Sequence, residues 1–164
     1  MNRNLYVVPL LAMGLSGQGV ASAGVVTQTI DVSVTVESAC EIATSAIDFG
    51  AYAGDQLTAP GQITVVCNTG VPYSVALDAG LNFDGTSRTL VDSGGNAIPY
   101  SLSYAVTNEA WGDTNVGNTI EGTVVSATGT GVPETFGVEG MVYSTTATLT
   151  GGVYTDTVTV TVSF

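Results

Sequence analysis

The sequence predicts an all-β protein, an antiparallel β-sandwich of immunoglobulin-like type, and three observations carry that expectation. Apolar residues recur at every second position in several short runs, the spacing of a strand with one face in a core. Glycine, threonine and valine dominate, with 21 glycines in 164 residues, a composition that favours strands and tight turns over helices. Turn residues break the runs often enough for about seven short strands in roughly 140 residues, the density of a sandwich.

The first 23 residues read as a removable signal peptide. Met1-Asn2-Arg3 is a short positive head, Val7 to Leu15 a brief apolar core, and Ala21-Ser22-Ala23 a small-residue cleavage site. The apolar stretch is too short to span a bilayer, and no other segment approaches the ~18 apolar residues needed. A chain starting at Gly24 has 141 residues, enough for one sandwich domain.

Ile30-Asp31-Val32-Ser33-Val34-Thr35-Val36 is the first alternating run. Gln62 to Cys67 and Tyr73 to Leu77 follow as strands. Arg88 to Val91 and Ile98 to Tyr104 flank Asp92-Ser93-Gly94-Gly95-Asn96, a hairpin loop by its turn residues. Pro99 inside the second of these runs marks an edge strand or a bulge. Asn82–Thr86 and Glu109–Asn118 read as connecting loops, and Thr119 to Ala127 and Phe136 to Ser144 as further strands. From Tyr154 to Phe164 polar and apolar residues alternate almost without error, with Val158, Val160, Val162 and Phe164 on one face and a row of hydroxyls on the other. This last strand has no turn and no partner after it. Together with the alternating run near the N-terminus, that points to assembly by strand exchange between subunits.

Only two residues are basic, Arg3 and Arg88, against 14 carboxylates. Residues 24–164 keep one arginine, a side-chain charge of −13, so nucleic acid and anionic membrane are poor partners for such a surface. The charge serves solubility; bridging by multivalent cations is the sharper alternative, but nothing singles out a site for it. Cys40 and Cys67 are the only cysteines. Export implies an oxidising compartment, so they are expected to form a disulfide, worth roughly 3 to 4 kcal/mol on the chain-entropy model. Two thiolates without any histidine make a poor zinc site.

With no histidine and no lysine after residue 23, Ser-His-Asp and Cys-His catalysis, Schiff-base chemistry and most transition-metal sites are absent. Carboxylate chemistry remains, such as a glycosidase pair drawn from Asp78, Asp84, Asp92, Asp113, Glu121 or Asp156. Most of these stand beside Gly, Asn or Thr, where Asp builds turns, and Asp84-Gly85 is a hairpin signal. No catalytic, cofactor-binding or metal site is expected. Trp111-Gly112-Asp113 has two readings: an exposed Trp anchoring a sugar or a partner, or a Trp closing one end of the core.

Several motifs in order carry a resemblance. Cys40 follows an alternating strand, Phe49-Gly50 comes shortly after, and the second cysteine ends Ile63-Thr64-Val65-Val66-Cys67. Tyr100-Ser101-Leu102-Ser103-Tyr104, Trp111-Gly112-Asp113 and the run Gly152 to Val162 closing at an aromatic residue complete the series. The chain resembles the spore coat protein U domain family, the archaic class of chaperone–usher pilins, over essentially all of residues 24–164. It departs from the pattern between Thr107 and Asn118, which lack the usual basic residues, and at Phe136-Gly137, where Tyr-Gly is more usual.

The resemblance implies donor-strand complementation: an incomplete immunoglobulin-like sandwich lacking its last strand, completed by a donor strand. A periplasmic chaperone fills the groove first, and an outer-membrane usher then swaps in the N-terminal extension of the next subunit. On this reading residues 24–37 are the donor extension and 38–164 the pilin body. The donor face is Val26, Gln28, Ile30, Val32, Val34 and Val36; the acceptor edge is Tyr154, Val158, Val160, Val162 and Phe164. Burying four β-branched donor residues is worth roughly 6 to 12 kcal/mol before ordering costs, comparable with the stability of a whole domain. A second placement stays open, with Ile30–Val36 as the first strand of the domain's own sandwich and the donor nearer Gly24–Asp31. The expected product is an extracellular homopolymer for surface attachment or biofilm formation. The rivals are a non-polymeric secreted coat protein, a pilus-tip glycan-binding adhesin using Trp111, and a secreted glycosidase.

Overall fold

The structure is a computed structural model that describes residues 23–113 and 120–164. The signal-peptide expectation, except for Ala23, and the centre of the loop after Trp111 lie outside the described residues.

Eight strands are formed: β1 (Cys40–Thr44), β2 (Leu57–Cys67), β3 (Pro72–Leu77), β4 (Arg88–Val91), β5 (Ala97–Tyr104), β6 (Val125–Thr128), β7 (Glu134–Val142) and β8 (Val160–Ser163). They make two antiparallel sheets, one of five strands in the order β1-β2-β7-β5-β4 and one of three in the order β6-β3-β8. Ile63, Val65, Leu102, Phe136 and Val138 from the larger sheet meet Tyr73, Val75, Leu77 and Val125 from the smaller one in a single apolar core. The alternation read from the sequence selects these residues: Tyr73, Val75 and Leu77 are buried, while Ser74 and Ala76 between them are not. Among the described residues there is no helix.

β1 and β2 are locked by the Cys40–Cys67 disulfide, which joins residues directly opposite each other in the ladder. The Asp92–Asn96 turn forms as expected, with Asp92 Oδ1 accepting from the N–H groups of Gly94 and Asn96 at 2.9 and 2.8 Å. Asp84 likewise accepts from the N–H groups of Thr86 and Ser87, which holds its carboxyl below the ordinary carboxylate range.

Four expectations need correction. β5 is not an edge strand, because β4 and β7 flank it. Pro99 is tolerated because the β5–β7 ladder begins only at Tyr100, so Pro99 has a strand neighbour on the β4 side alone. Pro60 shows the same device in β2, which starts five residues earlier than the sequence signal at Gln62: the β1 ladder reaches only Ile63. Of the run expected over Thr119 to Ala127, the described part from Ile120 is a strand only from Val125; before it, Trp111 and Thr123 make an isolated parallel bridge. Finally, Ile30–Val36 is not a strand of this chain's own sandwich, the second of the two placements above. Residues 23–39 carry no regular secondary structure, and the domain's first strand is β1.

Candidate functional site

The C-terminal alternating segment is held along one side only. Thr155 exchanges both backbone hydrogen bonds with Val91 at 3.0 and 3.1 Å, Leu81 N–H donates to Thr157 O at 3.0 Å, and Asp78 N–H donates to Thr159 O at 3.0 Å. Thr159 N–H in turn donates to Asp78 Oδ1 at 2.8 Å. Beyond this, β8 pairs with β3 from Val160↔Leu77 to Ser163↔Ser74. Successive residues of an extended chain point their N–H and C=O groups to opposite sides. Those of Tyr154, Asp156, Val158, Val160 and Val162 therefore face away from this support, along an edge that no strand among the described residues covers.

Next to that edge lies an apolar groove between the sheets. Val158 and Val160 form one side, Ile47 and Phe49 the other, and Ile63, Leu77, Leu102 and Val138 the floor; its volume is about 280 Å³. It continues past Leu90 and Asp156 into a wider mouth of about 640 Å³ between Phe49–Tyr52 and Leu149–Thr155. The far wall depends on two strand glycines. A Cβ on Gly61 would lie 2.5 Å from Ile47 and one on Gly140 2.8 Å from Phe49, so bare backbone in β2 and β7 lets residues 45–52 lie close against the sheet.

One inward position in the edge is polar. Asp156, half-buried, accepts from Tyr100 Oη at 2.7 Å and from Asn82 N–H at 3.1 Å. Gly80, at φ +82°, leaves room for its carboxylate; a Cβ there would overlap it. Burial, reinforced by the hydrogen bond and charge of Asp156, pushes the Tyr100 phenol far above its usual range. Beneath them Arg88 is buried, 1% exposed, and its four hydrogen bonds among the described residues go to backbone carbonyls: Leu77 O at 3.1 Å, Asp78 O from Nε at 2.9 Å and Nη2 at 2.6 Å, and Trp111 O at 2.9 Å. Burial pulls its pKa down, opposed by Tyr100, Asp78 and Asp156.

The proposed acceptor residues Tyr154, Val158, Val160 and Val162 share one half-buried face, packed against the core. Phe164 departs from it: β8 stops at Ser163 and the ring is 60% exposed. Of the proposed donor residues, Val26, Ile30, Val32, Val34 and Val36 are all exposed, Val32 at 91%. Trp111 is fully buried, with its Nε1–H donating to Val75 O at 3.1 Å, so it closes the core and offers no sugar an anchor. Of the carboxylates, Asp84 and Asp92 build turns, whereas Asp78 and Asp156 converge on Arg88 and Tyr100. No group of three or more potential metal ligands occurs among the described residues.

Sequence reasoning missed the Arg88 cluster and the Ile47–Tyr52 wall. The signal for the first was present: one cation in 141 residues, at the start of a strand. For the second it was the alternation of Ile47 and Phe49 over glycines distant in sequence.

The sequence model of the Spore Coat Protein U domain matches residues 26–161. The chain belongs to that family. The match spans the exposed valine run and the open edge as far as Thr161. Among solved structures, the chain is similar to the CsuC–CsuE chaperone–tip adhesion subunit pre-assembly complex from archaic chaperone–usher Csu pili of Acinetobacter baumannii. That similarity has 23% identity and a TM-score of 0.60 over 79% of this chain. It covers 41% of that chain, well under its full length, and supports the fold. A weaker similarity, 16% identity and TM-score 0.36 over 74% of this chain and 79% of that one, is to the E. coli Hda pilus minor tip subunit HdaB. No curated protein matches the chain.

Proposed function

We propose that this Spore Coat Protein U domain protein is a structural subunit of a chaperone–usher pilus. Residues 24–37 of one copy fill the groove of the next, so that the fibre grows head to tail and serves surface attachment or biofilm formation. The observation that carries this reading is the edge at Tyr154–Val162, which presents half-buried valines and unpartnered backbone groups over an apolar groove. An added strand supplies ladder hydrogen bonds there, with alternate side chains setting the register. The exposed run Val26, Ile30, Val32, Val34 and Val36 has the required chemistry. A head-to-tail contact of this type does not close on itself and propagates as a fibre.

On this reading residues 1–23 direct export, a periplasmic chaperone covers the edge in transit, an outer-membrane usher exchanges it for the next subunit, and the product is extracellular. An uncovered apolar edge of this kind is an aggregation site, which gives the chaperone its physical purpose. The protein is read as non-enzymatic: of the six carboxylates weighed as a catalytic pair, Asp84 and Asp92 build turns, and Asp78 and Asp156 belong to the Arg88 cluster.

The direct test replaces Val32 and Val34 by Asp and looks for fibres by electron microscopy. The expected outcome is a chaperone-bound subunit that does not elongate, since two carboxylates would enter an apolar groove. Unaffected fibres would reject the donor assignment.

A further inference from the structure

We infer that Arg88 is a positioning residue that holds the acceptor groove ready while it is empty, an inference that rests on the donor-strand reading. Its guanidinium starts from β4 in the five-stranded sheet and ends on the carbonyls of Leu77 and Asp78, where β3 of the three-stranded sheet finishes, and on Trp111 O. It therefore ties the two sheets together beneath the groove, whose floor includes Leu77 and whose side includes Leu90.

The tie passes outward through Asp78. The carbonyl of Asp78 is held by Arg88, its N–H donates to Thr159 O, and its carboxylate accepts from Thr159 N–H. Thr159 stands between Val158 and Val160, the two valines that line the groove. The stretch from Tyr154 to Thr159 forms no regular strand, and between Thr157 and Thr159 its support is the turn after β3 rather than a ladder. Segments with few ladder hydrogen bonds open first, so the side most at risk in the empty protein is the side Arg88 braces.

The chemistry of the residue fits this role better than simple filling. A buried cation whose hydrogen bonds among the described residues go to main-chain oxygens costs desolvation that an aliphatic side chain would avoid. The planar fork gives in exchange several donors at fixed geometry, enough to fix three carbonyls at once. Tyr100 and Asp156 join the same cluster from the groove side, so the brace reaches the groove lining by a second route.

A residue that organises only the empty state acts on donor affinity: apparent affinity falls in proportion to the fraction of molecules with a competent groove. The test uses the full chain from Gly24 to Phe164, dilute, with a fluorescent peptide of residues 24–37 as probe. Arg88→Met is expected to weaken peptide binding about tenfold if a tenth of the molecules stay competent, with Arg88→Lys between it and the parent. Hydrogen exchange at the Thr159 amide should speed up in the empty variant and return to the parent's value once peptide is bound. Unchanged peptide affinity, with equal destabilisation of empty and filled forms, overturns the inference and leaves Arg88 a structural residue. Asp78→Ala cuts the same link at its outer end without stripping the buried carbonyls, and serves if Arg88→Met does not fold. It is expected to weaken binding several-fold, and unchanged affinity again overturns the inference. Failure of the parent chain to take up the peptide would overturn the donor reading itself, independently of Arg88.

Discussion

Two segments of this chain carry nearly the same alternation and reach different states. Ile30–Val36 and Val158–Phe164 both place valines at every second position beside hydroxyl residues. In the first, every apolar side chain is exposed and no strand forms. In the second, Val158, Val160 and Val162 pack on the core, and β8 forms where β3 lies alongside. The difference lies in the neighbour. Alternation gives a segment one apolar face, but ladder hydrogen bonds need a partner backbone, and the C-terminal segment finds it in β3, the turn after β3 and Val91. Even so it is only half served, since its other side stays open. Each segment lacks what the other offers.

The largest expected effect comes from supplying the missing neighbour within one molecule. A second copy of residues 24–37, joined behind Phe164 by a flexible linker, should raise unfolding stability by several kcal/mol, out of roughly 6 to 12 gross for four buried β-branched residues before ordering costs. Chemical denaturation measures it; a fusion no more stable than the parent would remove the complementarity claimed for the two segments. Matched truncations sharpen the comparison. Val160→Ala should cost the empty chain about 1 kcal/mol, because the side chain is half-buried. Val32→Ala should leave the empty chain within about 0.5 kcal/mol, as for an exposed position. In the fused protein the Val32→Ala cost should rise to that of a buried valine. If it stays near zero there, Val32 does not enter the groove.

A smaller effect concerns pH. Burial, with Glu134 adding to it, pushes the Tyr73 phenol up to about 12, and Tyr100 is raised as well. A phenol whose folded pKa exceeds its unfolded value of about 10 contributes stability that is complete below pH 10 and is lost as pH rises through the folded pKa. With no histidine or lysine after residue 23, melting temperature should be nearly flat from about pH 6 to 9 and fall only in alkali. Absorbance titration should show Tyr73 and Tyr100 ionising last. A loss of stability near neutrality would mean that some other titrating group controls the open edge.

Much of this was legible in order of locality. Period-two patterning located the inward residues of β2, β3 and β7, and the Asp84 and Asp92 turns could be named because an Asx turn is closed within four residues. Pro99 misled because an edge is a property of a sheet, and the β5–β7 ladder that stops one residue short of it depends on β7, some 40 residues later. Arg88 enters the sequence reading only as a strand start and a count in the net charge; its isolation marks it as unusual, but its acceptors on Leu77, Asp78 and Trp111 are fixed by the packing of the sheets.

By itself the sequence determined the all-β class, the Cys40–Cys67 pair, the poverty of catalytic groups and the two alternating segments, all of which follow from composition and from spacings shorter than one strand. The tertiary structure decided which alternating segment becomes a strand, how the groove is walled by Ile47 and Phe49 over Gly61 and Gly140, and where Arg88 goes. Those outcomes depend on which backbone groups find partners across long sequence separations, and a linear pattern specifies a face without specifying what will lie against it.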